Sequence, residues 1–361
     1  MSIVDPARVS LFSITPGGQV LANKIHALWP VTCYCAEKYQ KDHFRAFEGS
    51  FANSLRQAFS RDEAIIVIGA CGIVVRTIAP LVQDKLHDPA VLVMDEKAQH
   101  VISLLSGHIG GANQLACQLA ARVGATPVIT TATDVNQVCA IDVLAKRVNG
   151  TIEHFRDAIK TLNQALVSGE SVGLYCDPDT LELTGIDLAN EDTRGIELLS
   201  LEQLERHDCQ YVIELSMKPD VHNWHAETFH LVPRCIVVGM GCRKDLQPHL
   251  MTQTFSALLD AHHWHPLAVT QFASIDVKRN ETAMLNLAEQ YQAPIEFFSA
   301  NELSASGWRG PESEFVRKTV GVGAVSQPAA WLLSQGNLIG ETVKQQGMTF
   351  TFGVQKICYT S

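Results

Sequence analysis

This 361-residue chain lacks most of the short motifs that announce a chemistry. It contains no CxxC pair, no HExxH and no Cys/His set at zinc spacing, so its motifs give no argument for a zinc site. It has no complete GxGxxG and no GxxxxGK[ST], which leaves a dinucleotide fold or a P-loop unsupported. Ten cysteines occur at irregular spacing, Cys33 and Cys35 forming CxC. The opening "MSIVDPARVSLFSITPGG" puts Asp5 and Pro6 where an export signal has a basic start and an apolar run. No 18-residue apolar stretch occurs, so no membrane span is expected. Free thiols in a cytoplasmic protein are therefore expected rather than disulfides.

Basic residues are in deficit: 28 Lys and Arg stand against 38 Asp and Glu, a net charge of −10. No basic stripe appears, which argues against a nucleic-acid partner. An anionic ligand would have to be met by local donors rather than by the overall field. The run "HHWH" (262–265) invites a metal reading. It follows a predicted helix end, however, and adjacent histidines cannot all face one point. The expectation is no metal ligand set.

What the chain does have is apolar content, 46% of residues, enough for conventional cores in two or three domains. "VSLFSIT", "VTCYC", "AIIVIGA", "AVLVMD", "HVISLLS" and "TPVITTA" read as strands, with helices predicted over 19–29 and 47–61. This alternation predicts an α/β fold with a largely parallel sheet flanked by helices over residues 1–135. Residues 136–218 read as a smaller α/β middle region and 219–234 as a linker. Residues 235–361 read as a second such α/β domain, closing in an antiparallel hairpin about a Gln-Gly turn at the sheet edge.

Four glycine-rich turns stand out. "SGHIGGANQLACQLA" (106–120) runs into a helix whose apolar face is Ala112, Leu115, Ala116, Leu119 and Val123. Gly107, His108, Gly110 and Gly111 precede its first turn, and Asn113 lies on the face opposite. Free N–H groups and the positive dipole end would favour an anion there. His108 adds a group that titrates near neutral pH. The other reading is a tight strand-to-helix turn whose glycines serve backbone geometry alone. "IGACGIVVRT" offers Gly72 and Arg76; "GMGCRKD" offers Gly241, Arg243 and Lys244; "GVGAVSQPAA" offers Ser326. At the carboxyl ends of strands, such turns suit a large ligand with several anionic groups. "ASIDVKRNET" gathers Asp276, Lys278 and Glu281, with a carboxylate as general base and Lys278 as anion donor. A solvated helix start is the alternative there.

The stretch from Gly69 to Ala120, together with "VVGMGCRKD", "ASIDVKRNE" and "VGVGAVSQPAA", resembles the cobalt-precorrin-5A hydrolase family of anaerobic cobalamin biosynthesis. The resemblance implies opening of a δ-lactone that joins the ring-A acetate to C20, giving cobalt-precorrin-5B and acetaldehyde. It implies an anionic tetrapyrrole substrate that carries its own cobalt, and no further cofactor. His108, Glu281 and Asp276 become the candidate catalytic groups. Gly72, Arg76, Gly107, Gly110, Gly111, Asn113, Gly241, Arg243, Lys244, Lys278 and Ser326 become the candidate substrate contacts. The family often has an acidic residue after the serine of the last motif, where this chain has Gln327, which moves the base toward His108 or Glu281. A homodimer and transient contact with neighbouring pathway enzymes are compatible with this reading. A non-catalytic corrinoid-binding or delivery protein is the alternative. A methyltransferase would need an adenosine site, which the sequence does not display.

Overall fold

Continuous apolar runs become strands covered on both faces, because no residue in them can face water without cost. A computed structural model describes residues 4–41, 43–84 and 87–358. It divides into two units, Met1–Val143 and Leu144–Ser361.

The strands of the first unit are β1 (Val9–Ser13), β2 (Thr32–Cys35), β3 (Arg45–Ala46), β4 (Ala64–Ile68), β5 (Ala90–Met94), β6 (His100–Leu105) and β7 (Thr126–Val128). They form one sheet in the order β3-β2-β1-β4-β5-β6-β7. Strands β1, β4 and β5 are buried along their whole length. Every described pairing is parallel except β5 with β6. Residues 95–99 are too few for the crossover that a parallel return needs, so the chain turns straight back. Helices α1 (Pro16–Leu28), α2 (Phe51–Arg61), α3 (Cys71–Ile78), α4 (Ala112–Val123) and α5 (Ala132–Val135) follow, and α6 (Ile141–Arg147) crosses the boundary. Pro16, Gly17 and Gly18 form the first turn of α1. Proline suits a helix start, and Thr15 Oγ1 accepts from Gly18 N at 3.0 Å.

The second unit holds two sheets. The first comprises β8 (Gly150–Thr151), β9 (Val172–Cys176), β10 (Ile196–Leu199), β11 (Tyr211–Leu215) and β12 (Glu227–Pro233), in the order β10-β9-β11-β12-β8. Strand β12 falls inside the stretch read as a linker. Its pattern is weak because only its last three residues are buried, but it pairs in parallel with β11 over five residues. Helices α7 (Phe155–Ser168) and α8 (Pro178–Thr184) accompany this sheet.

The other sheet comprises β13 (Ile236–Cys242), β14 (Val269–Ile275), β15 (Ile295–Phe298), β16 (Leu338–Gln345) and β17 (Met348–Val354), in the order β15-β14-β13-β17-β16. The expected hairpin is β16–β17, antiparallel, with β16 at the edge. Helices α9 (Pro248–His262), α10 (Thr282–Gln290), α11 (Ala300–Ala305), α12 (Glu314–Val320) and α13 (Ser326–Leu333) complete it. Met217 and Val232 share one apolar cluster with Val238, Phe255 and Phe272, so no free linker separates these two sheets.

Two of the glycine turns have another form than expected. Gly239 and Gly241 lie within β13, not in a turn after it. The "GVGAVSQPAA" turn follows helix α12 rather than a strand. Gly239 is set by packing: a Cβ there would lie 1.9 Å from the Ser326 carbonyl oxygen, where α13 crosses the strand.

Candidate active site

The turn at 106–111 delivers His108 into a polar cluster. Its Nε2 lies 3.2 Å from Asp134 Oδ2 and 2.8 Å from Thr133 Oγ1. Its Nδ1 lies 3.7 Å from Asp142 Oδ1. Asp142 is buried on the first turn of α6, with its side chain 1% exposed, and Asp134 is on α5. Each ring nitrogen thus faces a carboxylate, and only the imidazolium carries an N–H on both. The His108 pKa is accordingly raised above its ordinary value. The contact with Asp142 is the largest cause; partial burial opposes it, and the charges of Asp142 and Asp134 reinforce it. An unperturbed neutral base, as the sequence suggests, is not what this environment favours.

The amides of Gly111, Ala112 and Asn113, at the start of α4, are committed within the turn; Gly111 N donates to His108 O at 2.8 Å. Ala112 N donates to Ser106 O at 3.1 Å and Asn113 N to Gly107 O at 3.0 Å. Gly110 has a local cause, since a Cβ there would lie 2.4 Å from Ser106 Cβ. Gly111 is the N-cap of α4. Asn113 does not face solvent as expected. It is buried, and its Nδ2 donates to Thr131 Oγ1 and to Asp134 Oδ2, both at 2.8 Å. Thr131 also hydrogen-bonds Asp134. Asn113 therefore orients the carboxylate that faces His108. At α3, Gly72 and Arg76 are exposed, and Arg76 Nη1 reaches back to Gly72 O at 3.4 Å.

The second unit contains a cleft of about 600 Å³ at the ends of β13 and β14. Gly241, Arg243, Lys278 and Ser326 line it, as do Phe315 of α12 and Lys344 of the hairpin. A companion cavity of about 580 Å³ shares Lys278 and Thr319 with it, and Lys244 and Glu281 line that one. Lys278 Nζ lies 3.1 Å from Glu281 Oε2, their side chains 18% and 9% exposed. An ammonium beside a carboxylate at a cavity wall can hold an anion and orient a water. Ser326 is buried, and its Oγ accepts from Thr351 Oγ1 at 3.0 Å. Asp276 is exposed on a short 3-10 turn and lines neither cavity.

Sequence reading missed Asp134, Asp142 and Thr133. Thr133 and Asp134 lie in α5 and Asp142 in the first turn of α6, and no local motif marks any of the three. It also missed a set of possible metal ligands: His26, Cys33 and His43 bring their ligand atoms within 4.8 Å of one another. His26 Nδ1 already lies 2.8 Å from Val31 O, and burial pushes the Cys33 thiol up to about 12.

Three sequence families match the chain in order. Residues 53–134 match the cobalamin synthesis G N-terminal family, 139–213 the cobalamin biosynthesis central region, and 236–353 the cobalamin synthesis G C-terminus. A cobalt-precorrin-5A hydrolase of Salmonella typhimurium is 46% identical over 98% of this chain and 99% of its own length. The chain belongs to the cobalt-precorrin-5A hydrolase family. A second member, from Priestia megaterium, is 29% identical over 97% of this chain and 95% of its own. A crystal structure of a cobalamin biosynthesis protein G homolog from Sulfolobus solfataricus aligns over 98% of both chains at 20% identity and a TM-score of 0.40. The family placement rests on the sequence matches, which span the His108 turn and the cleft alike.

Proposed function

We propose that this chain is a hydrolase of anaerobic cobalamin biosynthesis, opening the δ-lactone of cobalt-precorrin-5A. The observation that carries this reading is the 46% identity to a cobalt-precorrin-5A hydrolase over nearly the full length of both proteins. In this reaction water adds to the lactone carbonyl and the bond between the acyl carbon and the ring oxygen breaks, leaving a ring-A acetate and a hydroxyl that C20 keeps. The hydroxyl then gives up its proton. The bond from C20 to the macrocycle breaks with its electron pair kept by the macrocycle, and the two carbons leave as acetaldehyde.

Glu281 is the general base in this reading, oriented by Lys278. The cations of the cleft meet the acetate and propionate groups of the substrate and the oxyanion that develops on the lactone. Each His108 ring nitrogen faces a carboxylate, an arrangement that favours a proton donor over a base. Cobalt enters with the substrate, and the enzyme requires no metal of its own. Among the described residues no helix is long and apolar enough to cross a membrane. A cytoplasmic enzyme acting on a soluble tetrapyrrole fits that observation.

The test is incubation of purified protein with cobalt-precorrin-5A under reducing conditions, with acetaldehyde and the tetrapyrrole product both measured. Stoichiometric acetaldehyde supports the hydrolase. Tight binding with no acetaldehyde would instead favour a corrinoid-delivery protein.

A further inference from the structure

One aromatic residue at the cleft serves neither the core nor the proposed chemistry. Phe315 of α12 is 77% exposed, the most exposed large apolar side chain among the described residues. Leaving a phenyl ring in water forgoes the gain from burying it, and this one lines a cleft rather than an open surface.

The helix that carries Phe315 is fastened at both ends. Ser313 Oγ accepts from Val316 N at 3.4 Å, and Ser313 N donates to Gly323 O at 2.7 Å. Arg317 pairs with Glu312, and Gly321 caps the C-terminus. Phe315 lines the cleft, as do Val316, Ile275 and Met348. Arg243, Lys278 and Lys344 line the same cleft. An apolar wall with cations beside it matches a broad, flat, apolar ring that carries anionic groups on its edge.

We infer that Phe315 is the platform on which one face of the substrate macrocycle lies, with Lys344 taking a carboxylate on its rim. This inference rests on the reading of the cleft as the site of an anionic tetrapyrrole. It goes beyond that reading by naming an affinity determinant on α12, outside the groups proposed for bond breaking.

The test compares Phe315→Ala, Phe315→Leu and Phe315→Tyr with the parent in two assays. One is acetaldehyde release from cobalt-precorrin-5A. The other is absorbance titration with cobyrinic acid, a cobalt corrinoid with free peripheral carboxylates that has no lactone to open. Loss of the flat face in the Ala and Leu variants should raise KM and the cobyrinic acid Kd about tenfold, with a smaller change in kcat. Phe315→Tyr should stay near the parent. Because the ring is exposed, Tm should hold in all three. Lys344→Met should weaken cobyrinic acid binding several-fold and flatten its salt dependence. Unchanged KM and Kd in both Phe315→Ala and Phe315→Leu overturn the platform. A parent that binds cobyrinic acid but releases no acetaldehyde overturns the hydrolase reading instead, while the Kd comparison still judges Phe315.

Discussion

Replacing His108 by Gln or Ala probes the pair of carboxylates around it. In the parent, Asp142 is buried with its side chain 1% exposed, and the His108 side chain is 21% exposed. His108 Nε2 is within hydrogen-bond distance of Asp134 Oδ2 at 3.2 Å, and a hydrogen bond to a charged group contributes about 1.5–3 kcal/mol. Partial solvent access to His108 reduces that, so a loss of about 1–2 kcal/mol is expected for either variant at pH 6. The pH dependence has a definite sign. The folded-state pKa of His108 is raised, so its contribution is fully present below the unfolded value of about 6.5 and is lost as pH rises through the folded value. Thermal denaturation of parent and variants between pH 5.5 and 9 reads this directly. The Tm gap should be widest at the acid end of that range and close toward the alkaline end. A gap that widens with pH would show that His108 is neutral in the fold and would refute the imidazolium assignment. Activity supplies the second readout. As a proton donor in the reaction, His108 should be worth roughly 10²–10⁴-fold in kcat, and the parent rate should fall on the alkaline side of its raised pKa. As an anchor for a substrate carboxylate, it should instead affect KM. A rate that falls only on the acid side would return His108 to the role of base.

Three further outcomes are expected. Glu281→Gln should lower kcat at least 10²-fold with little change in KM, whereas Lys278→Met should raise KM as well; a Glu281→Gln enzyme with parental kcat removes Glu281 as the base. Treatment with a strong chelator should leave lactone opening intact. Loss of activity that zinc restores would instead assign a working metal to the His26, Cys33 and His43 group. Asp134→Asn should lower the His108 pKa, read by NMR titration of the ring protons, because one of the two carboxylates facing the imidazole loses its charge; an unmoved titration would leave Asp142 as the sole electrostatic partner.

The parts of the fold that are legible in sequence are those governed by short-range rules. Ala64–Ile68 and Ala90–Met94 are apolar at every position, and both are buried central strands. The Gln-Gly turn between two β runs is the β16–β17 hairpin. Illegible parts depend on partners distant in sequence. Nothing local marks Glu227–Pro233 as a strand, because its order comes from pairing with β11 and from burial of its last residues alone. The site divides the same way. His108 and Lys278 are visible as titratable groups beside turns, but what determines the protonation of His108 is Asp142, 34 positions further on, brought to its side by α6.

The glycines carry the same lesson with the largest consequence. Read as a class, the turns at 106–111 and 239–245 suggest backbone donors waiting for an anion. In the fold, Gly110 makes room for Ser106, and the amides of Ala112 and Asn113 are already bonded to Ser106 and Gly107. Gly239 makes room for the backbone of α13. Gly239→Ala puts this to the test. A Cβ there would lie 1.9 Å from Ser326 O and 2.7 Å from Ala330 N, both backbone atoms that cannot rotate away. Helix α13 would have to lift from β13, a cost of at least the 1–3 kcal/mol typical of overpacking. The same movement would displace Ser326, whose Oγ accepts from Thr351 Oγ1 at 3.0 Å, at the wall of the cleft. Gly239→Ala should therefore lower Tm by several degrees and raise KM together. If glycine at 239 instead existed to let a ligand approach the backbone, the substitution would raise KM and leave Tm unchanged. That separation of Tm from KM decides between packing and ligand approach at this position.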